Sequence, residues 1–158
     1  QLMAEQAAAL QAAGFDGLYL DNLDVAEDHP ALRDGLVALV DGLRAAAPRL
    51  LLVGQNGLVV AERLPLDAIA HEDVFWRWDE GREAYTRSPE RETLELVRGL
   101  RQLRDGGLPV FTLDYAEPGS DGAREALEQS LAEGFRPAVS VLDLDRLPHL
   151  PAPAGVPS

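Results

Sequence analysis

The sequence contains no cysteine, no lysine and no hydrophobic run long enough to cross a membrane. Without cysteine the chain cannot form disulfides, zinc-thiolate or iron–sulfur sites, and it has no thiol nucleophile. A membrane-spanning helix needs roughly 20 consecutive, mostly apolar residues, and no stretch of about 18 occurs here. No secretory signal pattern is present either. These absences exclude several chemistries without indicating a compartment.

Positive charge is also scarce. Of the 158 residues, 14 are basic, all of them arginine, and 27 are acidic, which gives a formal net charge of -13. Nucleic-acid binding draws its affinity from lysine and arginine contacts with phosphates, so we expect no nucleic-acid partner. The composition is otherwise that of a folded protein, with 46% hydrophobic and 26% charged residues. The chain should therefore bury a hydrophobic core.

Short apolar runs alternate with helical patterns along the chain, which is typical of a parallel sheet covered by helices. The spacing is roughly 30 residues per βα unit, as in an eight-unit barrel of about 250 residues. A doubly wound open sheet is the alternative, but neither of its usual glycine-rich phosphate loops occurs. We predict an α/β fold, a parallel (β/α)8 TIM-barrel-like domain present as a C-terminal fragment of about five βα units. The predicted strands are residues 17–20, 50–53, 68–70, 109–113 and 138–142.

The two ends of the chain differ in character. Gln1 lies inside an expected helix, which suggests that further βα units precede it. Residues 147–158 carry four prolines. We expect residues 1–148 to form the C-terminal part of the barrel and residues 149–158 to form a proline-rich tail or linker.

Polar side chains follow four of the predicted strands, at the edge where parallel barrels build their active sites. Because side chains alternate along a strand, an inward Asp21 leaves Leu18 and Leu20 for the helix layer. The same reasoning predicts that Asp114 and Thr112 face the barrel interior. The strand-end residues are Asp21, Asn22, Asp24, Gln55, Asn56, Glu72, Asp114 and Tyr115.

Glycoside hydrolysis requires two carboxyl groups that face each other across the active site. Asp21 and Glu72, at the ends of their strands, are the natural pair. A separation of about 5 to 5.5 Å would indicate retention of configuration, and about 6.5 to 9.5 Å inversion. The alternative for any single strand-end aspartate, which suits Asp24 well, is capping a helix or accepting hydrogen bonds from loop amides.

An aromatic group lies in the expected long connection over residues 74–90 and would suit either stacking on sugar rings or simple loop packing. It comprises Phe75, Trp76, Trp78 and Tyr85. The three histidines have no metal-ligand spacing, and there is no G-x-S-x-G motif, so we expect neither a metal site nor a serine hydrolase, and no cofactor.

The segment from Gly14 to Asp24, GFDGLYLDNLD, resembles the G-F-D-G-x-x-L-D-x-x-D signature of the endo-α-1,4-polygalactosaminidases, glycoside hydrolase family 114. Later segments agree in order. They are Asn56-Gly57, His71 to Phe75 (HEDVF), Leu113 to Ala116 (LDYA), and Pro137 leading to Leu144 to Pro148 (LDRLP). The resemblance covers about residues 10 to 148.

This resemblance implies an endo-acting, retaining hydrolase of α-1,4-linked galactosamine polymers, with Asp21 as nucleophile and Glu72 as acid/base. It implies substrate contacts at Asn22, Asp24, Asn56, Trp76, Asp114 and Tyr115, and a secreted or extracytoplasmic location. The expected partner is a polysaccharide, a cationic one where the polymer is deacetylated, which suits an acidic protein. A non-catalytic glycan-binding barrel, and a carboxylate glycosidase of the same fold acting on another sugar polymer, are the alternatives. The sequence does not determine the oligomeric state.

Overall fold

The computed structural model describes residues 2–151, and the chain divides into two compact units. The first unit comprises the described residues up to Ala70, together with Gln102–Pro109. The second comprises His71–Arg101 and the described residues from Val110 onward.

The elements alternate along the chain as the sequence predicts. The helices are α1 (Leu2–Ala12), α2 (Val25–Asp28), α3 (Arg33–Ala46), α4 (Leu58–Ala61), α5 (Glu90–Asp105) and α6 (Asp121–Ala132), with a 3₁₀ turn at Pro30–Leu32. The strands are β1 (Gly17–Leu20), β2 (Leu51–Gln55), β3 (Ala68–Glu72), β4 (Trp76–Asp79), β5 (Ala84–Arg87), β6 (Val110–Tyr115) and β7 (Arg136–Ser140). The strands of the parallel sheet follow the order β1-β2-β3-β6-β7, and a separate two-stranded hairpin contains β4 and β5.

The first unit is built on β1, β2 and β3, which run parallel and in register, with Leu18 opposite Leu52 and Val53 opposite Ala68. Leu18 and Leu20 pack against the buried residues of the helix layer, as the alternation predicts. Two groups of buried residues form this core: Leu23, Ala26, Val40, Leu52, Val60 and Leu64, and Ala7, Leu43, Ala47 and Leu50.

The second unit pairs β6 with β7 in parallel and covers them with α6. Ser120 caps this helix, because its side-chain oxygen accepts a hydrogen bond from the backbone N–H of Ala123 at 3.1 Å. Backbone pairing joins the segment after β3 to β6, where the N–H of Asp73 donates to the carbonyl of Leu113 at 3.1 Å. The carboxyl ends of β3 and β6 therefore lie at the same edge of the sheet.

The last predicted strand is displaced by two residues, because β7 begins at Arg136 and includes Pro137. Proline has no N–H for a ladder hydrogen bond, and β7 accommodates it as the terminal strand in the sheet order. His149, the first residue of the predicted tail, pairs with Val139 through two backbone hydrogen bonds of 2.7 and 3.0 Å. The rest of that predicted tail from residue 152 lies outside the described residues.

Among residues 2–151, no helix is long and apolar enough to cross a membrane.

Candidate active site

Three of the chain's turns at strand ends pass through left-handed backbone geometry. Asn22, Asn56 and Asp73 have φ angles of 59°, 57° and 58°. Asparagine and aspartate tolerate this conformation better than other residues with a side chain. The turn geometry is thus a sufficient reason for asparagine at two of the predicted substrate-contacting positions, Asn22 and Asn56.

In the first unit, the predicted nucleophile Asp21 lies just beyond β1 and is exposed. Its Oδ1 accepts a hydrogen bond from the backbone N–H of Asn22 at 2.8 Å. The hydroxyl of Tyr19, two residues earlier, donates a hydrogen bond to Oε1 of Gln55, which is 4% exposed. Asp24 is also exposed, and it precedes α2 without a side-chain cap hydrogen bond.

In the second unit, the structure brings Glu72 and Tyr115 together, because the Tyr115 hydroxyl donates a hydrogen bond to Oε1 of Glu72. Glu72 is the last residue of β3, and Tyr115 is the last residue of β6. Tyr115 is 6% exposed, which restricts its motion. The hydrogen bond therefore fixes the orientation of the Glu72 carboxyl group.

The predicted orientation of β6 is wrong. The Thr112 hydroxyl lies 2.7 Å from the hydroxyl of Ser130 on α6, so Thr112 faces the helix and not the barrel interior. Asp114 shares that alternate face, whereas Tyr115 lies on the opposite one. Tyr115, not Asp114, is therefore the residue of β6 that accompanies Glu72.

Asp114 is completely buried, at 0% exposure, and serves as a backbone acceptor. Its Oδ1 accepts hydrogen bonds from the N–H groups of Phe75 and Trp76 at 2.6 and 2.9 Å. Its Oδ2 is enclosed and has no hydrogen-bond partner among the described residues. The pKa of Asp114 is raised to about 7, because burial and the nearby Asp73 raise it by more than the backbone hydrogen bonds lower it. Asp114 thus anchors the segment after Glu72.

Asp73, next to Glu72 in the chain, is a second carboxyl group with a raised pKa, after Asp114. Desolvation of its carboxyl group raises the pKa of Asp73 to about 6, although part of the residue remains exposed at the surface. The adjacent Glu72 carboxylate raises the same pKa, and Arg77 lowers it. Neighbouring carboxyl groups with shifted pKa values are characteristic of catalytic sites.

Three members of the aromatic group, Trp76, Trp78 and Tyr85, lie on a β-hairpin that the sequence analysis did not predict. β4 and β5 pair antiparallel, with Trp78 opposite Tyr85. The rings of these two residues meet edge to face, with centroids 5.0 Å apart and planes at 70°. The alternation of apolar and polar residues in WRWD and AYTR was the available signal. Trp76 packs on Gly122 of α6, where a Cβ atom would lie 2.7 to 2.8 Å from three ring carbons.

The predicted site residues therefore fall into two groups. Asp21, Asn22, Asp24 and Asn56 belong to the first unit, and Glu72, Trp76, Asp114 and Tyr115 belong to the second. The pairing of Asp21 with Glu72 stays a prediction. Within residues 2–151, no three histidine, aspartate or glutamate side chains are arranged to hold a metal ion.

Comparison with known proteins gives the site a context. No protein-family model matches the chain. A protein of Deinococcus radiodurans described as uncharacterized is 31% identical over 151 residues, which is 86% of this chain and 46% of that protein. The chain therefore spans about half the length of this relative.

Two solved structures are similar to the chain over 93% of its length. One is the glycoside hydrolase domain of PelA from Pseudomonas aeruginosa, with 31% identity and a TM-score of 0.80. The other is a variant of that domain with one glutamate replaced by alanine, with 30% identity and a TM-score of 0.79. The chain covers 61% of each.

These neighbours agree with the five parallel strands and alternating helices observed here. The recognition of a glycoside hydrolase family from the sequence motifs is confirmed, and the chain has the fold of part of a TIM-barrel-like glycoside hydrolase domain.

Proposed function

We propose that this chain carries the catalytic rim of a retaining endo-glycosidase that cleaves α-1,4-linked galactosamine-containing polysaccharide. One observation carries the proposal: a chain similar over 93% of its length to glycoside hydrolase domains places a glutamate at a strand end and orients it by a buried tyrosine. The galactosamine specificity rests on the sequence motifs. An extracytoplasmic location follows from the proposed polymeric substrate.

The proposed chemistry uses two carboxyl groups in two steps. Asp21 attacks the anomeric carbon and forms a glycosyl ester, while Glu72 gives its proton to the departing glycosidic oxygen. Glu72 then takes a proton from water, whose oxygen displaces Asp21 and restores the free enzyme. Asp21 ends as carboxylate and Glu72 ends protonated, so the cycle balances.

The contacts around Glu72 support the acid/base assignment. The Tyr115 hydroxyl binds one carboxyl oxygen, and Asp114 anchors the backbone of Phe75 and Trp76, three and four residues after Glu72. A general acid must be held within hydrogen-bond reach of the leaving oxygen. A side chain held by a buried tyrosine of β6 meets that need without reorganisation during the reaction.

Replacing Glu72 with glutamine tests the role directly. The substitution keeps the size of the side chain and removes the proton, so we expect kcat on galactosamine polymer to fall about a hundredfold or more. The matched control is Glu128→Gln, an exposed glutamate on α6, which should retain parental activity. Release of reducing ends measures both.

Product stereochemistry separates the mechanism from the activity. If Asp21 is a nucleophile, NMR of the first products should show the α anomer before mutarotation. First appearance of the β anomer would overturn the retaining mechanism. Parental turnover by Glu72→Gln would refute the acid/base role, and binding of oligomer without any cleavage by the parent protein would favour a glycan-binding protein.

A further inference from the structure

One buried ionisable group of the second unit has no part in the proposed chemistry. Asp114 lies near the end of β6 and is completely enclosed, at 0% exposure. Its Oδ2 atom has no hydrogen-bond partner among residues 2–151. If the carboxyl group were ionised, this oxygen would carry negative charge away from water and from any donor. Burying a charge in this way is costly, and a carboxyl group so placed takes up a proton instead.

The other oxygen of the same carboxyl group fixes the chain that follows Glu72. Oδ1 accepts hydrogen bonds from the backbone N–H groups of Phe75 and Trp76, at 2.6 and 2.9 Å. Phe75 is buried, and the ring of Trp76 packs on Gly122 of α6. The segment is therefore held between β6 and α6, and its position depends on a hydrogen-bond acceptor at residue 114.

The charged groups around Asp114 favour its neutral form. Within the described part of the chain, the charge that acts on Asp114 is that of Asp73, which has the same sign. The charges of Glu72 and Arg77 act on Asp73 in turn. On β7, the residue opposite Asp114 is the apolar Val139. The charged side chains of α6 are at least partly exposed and form ion pairs of their own: Arg124 with Asp121 and Glu128, and Glu125 with Arg87.

We propose that Asp114 is a positioning residue that acts in its protonated form, holding the segment after Glu72 without adding a charge beside the candidate acid/base residue. Loss of the proton puts a second negative charge next to Asp73, where none of the described arginines pairs with it. The segment must then open to admit water, and the Glu72 carboxyl group loses the position from which it reaches the leaving oxygen. This inference rests on the proposed function for its effect on the rate of cleavage.

Asparagine at position 114 copies the neutral form, because it keeps a carbonyl oxygen for the two N–H groups and cannot ionise. We expect the ratio of kcat for Asp114→Asn to kcat for the parent to rise about tenfold from pH 6 to pH 8. The protonated fraction of a group with a pKa of about 7 falls by that factor over this range. Glu72 and Asp21 titrate in both proteins, so the ratio removes their contribution. Initial rates of reducing-end release from galactosamine polymer give both values.

Asp41→Asn is the matched control, since it removes one carboxylate from an exposed position on α3, and its ratio to the parent should be the same at both pH values. A constant ratio for Asp114→Asn would overturn the proposal. A loss of about a hundredfold at both pH values would also overturn it, because the carboxylate itself would then be needed. Asp114→Ala removes the acceptor, and we expect its kcat at pH 6 to be about ten- to a hundredfold below that of the parent. Parental kcat in that variant would show that Glu72 does not need the anchor, and if the variant does not fold, the asparagine ratio still decides.

Carbon NMR of protein labelled at the aspartate carboxyl groups detects the proton without any substrate. The signal that is missing from Asp114→Asn identifies Asp114, and we expect it to titrate in the parent with a midpoint near pH 7. A midpoint near the ordinary aspartate value of 3.8 would overturn the proposal. A chain that holds this proton and cleaves no polymer refutes the proposed function and keeps the protonated anchor. A chain that cleaves polymer with Asp114 ionised keeps the hydrolase and refutes the anchor.

Discussion

Among single residues, Asp114 links the folded state to pH. Its pKa of about 7 in the folded chain stands well above the ordinary aspartate value of 3.8. The folded state therefore holds a proton that the unfolded state releases between these two values. The contribution of Asp114 to the free energy of unfolding is most favourable below about pH 4. It declines as pH rises toward 7, because unfolding then releases a proton.

Asparagine at position 114 should flatten this pH dependence. Asp114→Asn keeps a carbonyl oxygen for the N–H groups of Phe75 and Trp76 and cannot ionise. We expect the free energy of unfolding, measured with urea at pH 4.5 and 7.5, to differ less between the two pH values than it does in the parent. An unchanged difference would show that Asp114 does not titrate in this range.

Alanine at the same position serves as the contrasting substitution. It leaves two backbone N–H groups without their acceptor, at a cost of about 2 to 5 kcal/mol at either pH. Asp114→Ala should therefore be destabilised throughout the range, whereas Asp114→Asn should be most favourable relative to the parent at pH 7.5.

The predicted orientation of Asp114 is wrong, whereas the role of Glu72 stays a prediction. Both follow apolar strands, but VFTLDY in β6 has apolar residues on both faces, so hydrophobic alternation does not fix which face meets the helices. The hydroxyl pair of Thr112 and Ser130 decides it. The buried Thr112 hydroxyl finds its hydrogen-bond partner 18 residues away in the sequence. The local pattern of apolar and polar residues does not encode such a tertiary contact.

At the scale of elements, β1 and the order of strands and helices followed from the sequence, but the hairpin of β4 and β5 did not. Its connection, Glu80 to Glu83, contains no Asn-Gly or Asp-Gly pair. The hairpin is stabilised by contacts that are distant in sequence, such as the hydrogen bond from the N–H of Leu142 to the Tyr85 hydroxyl.

Gly122 tests how closely the hairpin packs on α6. A methyl group at this position would meet the Trp76 ring at 2.7 to 2.8 Å, and a ring enclosed in this way cannot move aside freely. We expect Gly122→Ala to lower the free energy of unfolding by about 1 to 3 kcal/mol. The emission of Trp76 should shift as the ring becomes more exposed to water.

Gly35 on α3 is the matched control, because nothing lies within 4 Å of a Cβ at that position. Removing backbone freedom from an exposed helical glycine stabilises by up to about 1 kcal/mol, so Gly35→Ala should raise the urea midpoint. If Gly122→Ala also raised it, Trp76 would not be packed on α6 as described.

For the whole molecule, the dominant property is charge. The formal net charge of -13 surrounds the protein with a negative potential, which attracts cationic polymer over distances set by the ionic strength. The sequence establishes this property completely, because it depends on composition and not on packing. What the sequence could not provide is the arrangement of the side chains on the hairpin of β4 and β5, since that hairpin was not predicted.

Ionic strength should therefore distinguish two forms of the same polymer. For free-amine galactosamine polymer, we expect kcat/KM to fall about tenfold between roughly 20 and 500 mM NaCl, because screening shortens the range of the field from tens of ångströms to a few. For fully N-acetylated polymer, which carries no charge, kcat/KM should change little. Initial rates of reducing-end release at low substrate concentration give both values. The N-acetylated polymer controls for any effect of salt on folding or on the chemical step, so a parallel decline of the two substrates would show that charge does not guide encounter.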